Sequence, residues 1–511
     1  MPRSLPGAGS ACPTGFPWNA VRPQPALVGW LVAAFVLACA PPATVGGVRS
    51  APTSPPQPWI PPAAAGTPFD ASESKLASRG VAIPGDLAER RSRLVLSDVV
   101  DIALGNSPQT RTTWSQARAA AAGYGSARGR WLPSIDASAT GGPTRSISQN
   151  PARIPPNRTT IATSLSLQYT LLDFGARGGA MSAAQEGLYA ADFTHNATVQ
   201  SVVLQAEGAY FTYQASRGLR EAAARAVETA QANLSAADRR HEVGLATIAD
   251  VLQAKTAVSQ SQLTAQTAEG NVQSARAQLA LAMGLDANSS FEVAPDTGAA
   301  PVVTVSENVD SLIARAVRER PDVSAARALA RQSEALIRAT RSAALPSLTV
   351  GTSTGQNYSN IAALEGRTYL LTFGLSVPLF NGGSREYDVT AAGENAAAAA
   401  ARAEQSRLQA VAQVFTSYYA LQTATQRVAT SAELLTSATR SEEVAEGRYV
   451  EGVGSILDLL TAQSVLADAR AQSVLARWTW YAVLAQLARD TGVLGPHGEP
   501  NLTLTAGTPR R

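Results

Sequence analysis

The chain has 511 residues, of which 42 are Lys or Arg and 39 are Asp or Glu, so its formal charge is only +3 and no basic stripe forms; this excludes nucleic acid as a partner. Charged residues are 16% and aromatics 6% of a chain rich in Ala, a mix that suits long, closely packed helices better than a core of bulky side chains. Cys12 and Cys39 stand near the start, and His195, His241 and His497 lie far apart, which leaves no metal cluster, no catalytic triad and no implied cofactor.

Ala26 to Ala38 form a thirteen-residue apolar run behind Arg3 and Arg22. That is too short to cross a bilayer and the right length for a signal-peptide core, so residues 1–38 read as an export signal. Val36-Leu37-Ala38-Cys39 then resembles a bacterial lipobox, in which Cys39 becomes the acylated first residue of the mature chain. The alternative is ordinary cleavage after Ala38-Cys39-Ala40, which Pro41 directly beyond that bond opposes. Residues 39–90 follow as a Pro-rich linker, with nine prolines between positions 40 and 70. It is expected to be a stiff, extended tether with no packed core.

From residue 91 the sequence is duplicated. Ala103 and Ala316, Pro108 and Pro321, Arg118 and Arg331, and Leu132-Pro133 and Leu345-Pro346 are each 213 positions apart. The step then becomes 208 and holds for Arg177 and Arg385, Tyr210 and Tyr418, Gly244 and Gly452, Asp250 and Asp458, and Gly284 and Gly492. One copy therefore carries five extra residues between the Leu-Pro pair and the arginine. Repeat 1 spans 91–300, repeat 2 spans 301–495, and 496–511 is a tail. The unit is far longer than the ~20–50 residues of solenoid repeats.

Each copy opens with a helical stretch, Leu94 to about Arg130 and Val309 to about Ala343, that stops at Leu-Pro. Strands follow. Ile161, Leu165, Leu167, Tyr169 and Leu171 alternate with polar residues, as do Tyr369, Leu371, Phe373, Leu375, Val377 and Leu379. A second strand candidate precedes each, at Ser134–Thr140 and Ser347–Thr354. Each copy thus supplies one β-hairpin, and the lengths suit membrane-crossing strands. Four strands cannot close a barrel, and lipid tolerates no open sheet edge; three chains give twelve.

Beyond each hairpin a proline-free helical arm runs from about Gly179 to Glu242 and from about Gly383 to Glu451. Gly244 and Gly452 break these arms, and return helices run through Asp250 to Met283 and Asp458 to Arg489. Helices this long need partners along their length, as in a coiled coil or helical barrel.

The order of these features, with Leu172-Asp173-Phe174-Gly175-Ala176-Arg177, Leu379-Phe380-Asn381-Gly382-Gly383-Ser384-Arg385 and the two glycine tips, resembles the TolC-type outer membrane efflux channel family over about residues 91–495. The lipobox points to its NodT-like lipoprotein branch. The resemblance implies a mostly α-helical fold with a membrane β part: a homotrimer whose duplicated hairpins make a twelve-stranded β-barrel in the outer membrane, continued by a periplasmic α-helical barrel. It further implies a passive exit duct that meets a periplasmic adaptor (membrane fusion protein) and, through it, an inner-membrane pump of RND, ABC or MFS type.

By position, Val243, Gly244, Leu245, Ile248, Gly452, Val453, Gly454 and Ile456 match the family's adaptor-docking tips, with simple turn glycines as the plainer alternative. Asp250 and Asp458 match its acidic periplasmic entrance, or else cap the returning helices. Gly454 stands where some members carry an arginine that ties the entrance shut. Small-molecule or drug efflux, type I protein secretion and a periplasmic coiled-coil adaptor are the three functions to separate. An enzyme is not expected, since no phosphate loop, G-x-S-x-G or H-E-x-x-H occurs.

Overall fold

The computed structural model describes residues 54–57, 59, 93–145, 157–295, 303–305, 307–495 and 504–506. The expected signal segment, Cys39 and most of the expected linker lie outside them. Repeat 1 is built from α1 (Leu96–Asn106), α2 (Pro108–Gly129), β1 (Ser134–Thr144), β2 (Arg158–Leu172), α3 (Ala176–Glu242) and α4 (Ile248–Ala282). After the short β3 (Val303–Val305), repeat 2 gives α5 (Val309–Glu319), α6 (Pro321–Ala343), β4 (Ser347–Ser359), β5 (Gly366–Ser376), α7 (Ser384–Val450) and α8 (Ile456–Asp490). The tail adds β6 (Leu504–Ala506), which pairs with β3.

The opening helix of each copy is two helices, not the single one expected. Pro108 and Pro321 each start a new helix, and the residues before them, Ser107 (ψ 123°) and Arg320 (ψ 126°), are extended. A proline ring clashes with a helical predecessor, so the break falls at the same point of both repeats.

The arms α3 and α7 have 67 residues each, about 100 Å at ~1.5 Å per residue. Their return helices have only 35. The lower half of α3 packs on α4 and its upper half on α2 and α6, so the arm has partners along its whole length. The buried positions on the arms explain the abundance of Ala. Ala223, Ala230 and Ala237 recur at seven-residue spacing on α3, and Ala410, Ser417, Ala424, Ser431 and Ala438 do so on α7. Small residues at a heptad spacing let helix backbones approach closely in a continuous seam.

Bulky residues gather at one level. Leu94, Val99 and Ile102 of the α1 region meet Val203 and Tyr210 of α3, Leu279 of α4, Leu421 of α7 and Trp480 and Leu487 of α8. This belt lies partway along the arms, where the returns end.

The four long strands form one antiparallel sheet in the order β1-β2-β4-β5. β2 and β4 join the two repeats, with Leu165 opposite Thr354 and Gln168 opposite Gly351. β1 and β5 are left as edges.

The linker departs from its expected behaviour. Trp59 is only 5% exposed. It packs against the rings of Tyr189 and Phe193 on α3 at 5.7 and 5.4 Å between centroids. The Trp59 backbone N–H donates to Asn196 Oδ1 at 2.6 Å, and Asn196 Nδ2 donates to the Trp59 carbonyl at 2.8 Å. Ser54–Gln57 form a turn closed by the Gln57 N–H on the Ser54 carbonyl at 3.2 Å, and one large aromatic ring buries enough apolar surface to fasten it.

Candidate functional site

The far ends of the two helical hairpins form a pair of tips. At the first, Gly244 adopts φ +76°, and its N–H bonds to the His241 carbonyl while that of Leu245 bonds to Arg240. At the second, Gly452 adopts φ +75°, with Gly452 bonded to Tyr449 and Val453 and Gly454 to Arg448. Both are left-handed helix stops that favour glycine. Gly454 has a different reason: a Cβ there would meet Arg448 Cβ at 3.0 Å and its carbonyl carbon at 3.1 Å.

Asp250 and Asp458 close matching capping boxes. Thr247 N donates to Asp250 Oδ2 at 2.8 Å and Asp250 N to Thr247 Oγ1 at 3.3 Å. Ser455 N donates to Asp458 Oδ2 at 3.4 Å and Asp458 N to Ser455 Oγ at 3.1 Å. Each carboxylate also sits where the helix dipole favours an anion. Oδ1 takes no part in either box.

The structure divides the hydrophobic tip residues. Val243 (68%), Leu245 (71%), Ile248 (58%) and Val453 (69%) are exposed. Ile456 is not: it is 4% exposed, clustered with Ala237 of α3 and Ala254 of α4. Its side chain therefore joins the two hairpins to each other and has no surface to offer a partner. Repeat equivalence put Ile248 and Ile456 in one class, but only the second lies between the hairpins.

The arginine at the second tip comes from the first hairpin. Arg240 of α3 donates through Nη1 to the Tyr449 carbonyl at 2.8 Å and lies 4.7 Å over the Tyr449 ring. Further along the arms, Asn233 of α3 bonds to Gln463 of α8.

Two buried carboxylates on α3 were not foreseen. Asp192 is wholly buried with neither oxygen bonded, and burial pushes its pKa up to about 9. Glu207, 2% exposed, has one oxygen unbonded, and burial pushes it up to about 7. The repeat carries no signal for them: 208 positions on stand Ala400 and Phe415, which are both exposed. His195, one turn from Asp192, bonds Thr113 Oγ1 at 2.9 Å and the Gln57 carbonyl at 3.0 Å, and burial lowers its pKa against that second bond. In repeat 2, Arg320 is buried among Asp322, Gln413 and Asp490. Burial raises the Asp322 pKa, but the Arg320 hydrogen bonds and charge outweigh it and hold the group low.

At the other end of the molecule β5 presents Tyr369, Leu371, Phe373 and Leu375 on one face, all exposed, and Thr372 and Gly374 on the other. An apolar strand face that none of the described residues covers suits lipid. Among the described residues no helix is long and apolar enough to cross a membrane.

A duplicated hairpin pair set on two ~100 Å helical hairpins with paired glycine tips is the protomer of a TolC-type channel. The outer membrane efflux protein family model matches residues 99–285 and 312–493, one stretch per repeat. Protein CyaE of Bordetella pertussis is 30% identical over 427 residues, 83% of this chain and 88% of its own. The toluene efflux pump outer membrane protein TtgC of Pseudomonas putida is 24% identical over 73% of this chain and 78% of its own. The crystal structure of the Campylobacter jejuni CmeC outer membrane channel shares the fold at a TM-score of 0.69 and 21% identity, covering 80% of this chain and 86% of that one. The chain belongs to the outer membrane efflux protein family.

Proposed function

We propose that three copies of this chain form the passive exit duct of a tripartite export system, carrying small molecules or drugs out across the outer membrane. One observation carries this reading: a four-stranded antiparallel sheet with open edges β1 and β5 stands directly on the long arms. In lipid those edges must pair, and three sheets joined edge to edge give twelve strands, within the even-numbered range of outer-membrane barrels. The arms beneath them would then continue as a helical tunnel.

At its far end the duct would receive a periplasmic adaptor and, through it, an inner-membrane pump of RND, ABC or MFS type. Val243, Gly244, Leu245, Ile248, Gly452 and Val453 are the docking residues in this reading. Support comes from their exposure and from a left-handed backbone that leaves no side chain between approaching helix tips. Asp250 and Asp458 combine capping with an acidic entrance ring, since their Oδ1 atoms are not used by the caps. Cys39 lies outside the described residues; its lipobox supports a lipid anchor.

Type I protein secretion is the second reading. The greater identity is to CyaE, whose name states no small-molecule cargo, and the lesser is to a relative named for toluene. Detergent extraction and planar-bilayer recording test the duct itself. A trimer from outer-membrane fractions that conducts ions is expected; a protein that extracts with periplasmic complexes and conducts nothing would make it an adaptor-like coiled coil. Export assays with toluene and with a secreted protein, in cells holding the matching pump, separate the two cargoes.

A further inference from the structure

The groove that holds the linker has an open counterpart in the other repeat. In repeat 1, the face between α2 and α3 takes Gln57 and Trp59 through His195, Asn196, Tyr189 and Phe193. Shifting these positions by the repeat step leads to Ala403, Glu404, Ala397 and Ala401 on α7. There, between α6 and α7, lies an open cleft of about 340 Å³ whose lining includes Arg327, Arg331, Ala400, Ala403, Glu404 and Arg407. The cleft's apolar lining is Ala330, Ala400 and Ala403, small side chains that leave room for a large one. Its electrostatics also differ: three guanidiniums face Glu404, with Glu186 at the edge, bonded to Arg331 at 2.8 Å. Each guanidinium has five N–H donors, of which Arg327 uses one on the Val317 carbonyl, Arg331 one on Glu186, and Arg407 two on Glu404.

We propose that this cleft is a second docking site for the chain's own N-terminal segment, filled by residues 67–74, with Phe69 taking the place that Trp59 holds in repeat 1 and Asp70 and Glu73 facing the arginines. Three observations select this occupant. The segment Thr67-Pro68-Phe69-Asp70-Ala71-Ser72-Glu73-Ser74 has one aromatic ring, the first two carboxylates of the chain, and no basic residue between Arg49 and Lys75. Ten residues separate Trp59 from Phe69, a reach of up to ~35 Å. The two sites flank neighbouring helices, because Glu186, which meets Arg331 at the cleft, lies one turn before Tyr189 on α3. Two helix spacings are only about 20 Å. Anchoring at Trp59 also keeps the segment at a high local concentration beside the cleft.

Photocrosslinking of the full-length trimer tests the proposal, with p-benzoylphenylalanine in place of Phe69 and the adducts mapped by mass spectrometry. The same probe at position 59 should mark residues 189–196 and controls for the chemistry. Adducts from position 69 are expected on peptides containing 327–331 or 400–407 of the same chain. Adducts elsewhere, adducts only on a neighbouring protomer, or none when the control succeeds would overturn the assignment. Charge reversal adds a second readout. Arg331→Glu with Arg407→Glu should lower the yield about three-fold or more, as should Asp70→Lys with Glu73→Lys, and the four together should restore it. A yield indifferent to all three would mean the arginines do not select the segment.

Discussion

Arg240 of the first hairpin and Tyr449 of the second are joined twice, by a 2.8 Å hydrogen bond to the carbonyl and by the guanidinium lying over the ring. With Ile456 buried beside them, this makes the two tips of one protomer a single body. A partner would therefore meet a fixed arrangement of Val243, Leu245 and Val453.

Arg240→Ala should loosen that arrangement without dissolving the trimer. A charge-assisted bond to a carbonyl and a cation–π contact at a half-exposed site are together worth about 2 kcal/mol. Hydrogen exchange is expected to rise at Leu245 and Val453 and to stay unchanged in the belt around Trp480. Equal exchange at the tips would show that the hairpins hold together without this residue.

Gly244→Val with Gly452→Val places β-branched side chains at φ near +75°. That costs roughly 1–2 kcal/mol per site or more, and it fills the surface offered to an adaptor. Pump-dependent export should fall at least ten-fold while membrane-inserted trimer persists. Normal export with both substitutions present would remove the docking role.

On β5, Phe373→Arg puts a charge on the apolar face, where the midplane cost is ~2–4 kcal/mol. Its neighbour Thr372 lies on the opposite face, so Thr372→Arg should assemble normally and change ion selectivity instead. The amount of heat-modifiable trimer in outer-membrane fractions measures the first, and reversal potentials in bilayers measure the second. Equal assembly of both variants would contradict the assigned lipid face.

Asp192 keeps its proton in the folded chain up to about pH 9, against an ordinary 3.8. Between those values the folded state binds more protons than the unfolded one, so stability falls as pH rises. Asp192→Asn should flatten this slope. The variant is expected to gain on the parent by ~1.4 kcal/mol per pH unit above pH 4, roughly 5 kcal/mol at pH 8, with the difference vanishing near pH 4. Thermal midpoints at a fixed scan rate across that range decide it, and parallel curves would mean the carboxylate is not held protonated.

Cys39→Ser should abolish metabolic labelling with palmitate. Label that persists would place the acyl chain on another residue.

Much of this was legible along the chain. The arms, the returns, the hairpins and both tip glycines follow from local period, proline punctuation and the constant 208 step. Pro108 and Pro321 are a repeated pair in the sequence, and each is a helix break. Asp192 and Glu207 were not legible in this way, because their repeat counterparts Ala400 and Phe415 are exposed and only the packing around α3 buries the two carboxylates.

What the sequence by itself determined is the set of elements and their duplication, because helix and strand patterns are set by residues a few positions apart. Only the tertiary structure decided which of two equivalent residues is buried, as with Ile248 and Ile456. It likewise joined β2 to β4 across the repeats, set Arg240 on the other hairpin's Tyr449, and fastened Trp59 to α3. These contacts link positions more than a hundred residues apart, and they depend on which helix faces meet. Two copies of one pattern placed side by side in a single chain have different neighbours, and the physical environment of each residue follows the neighbour.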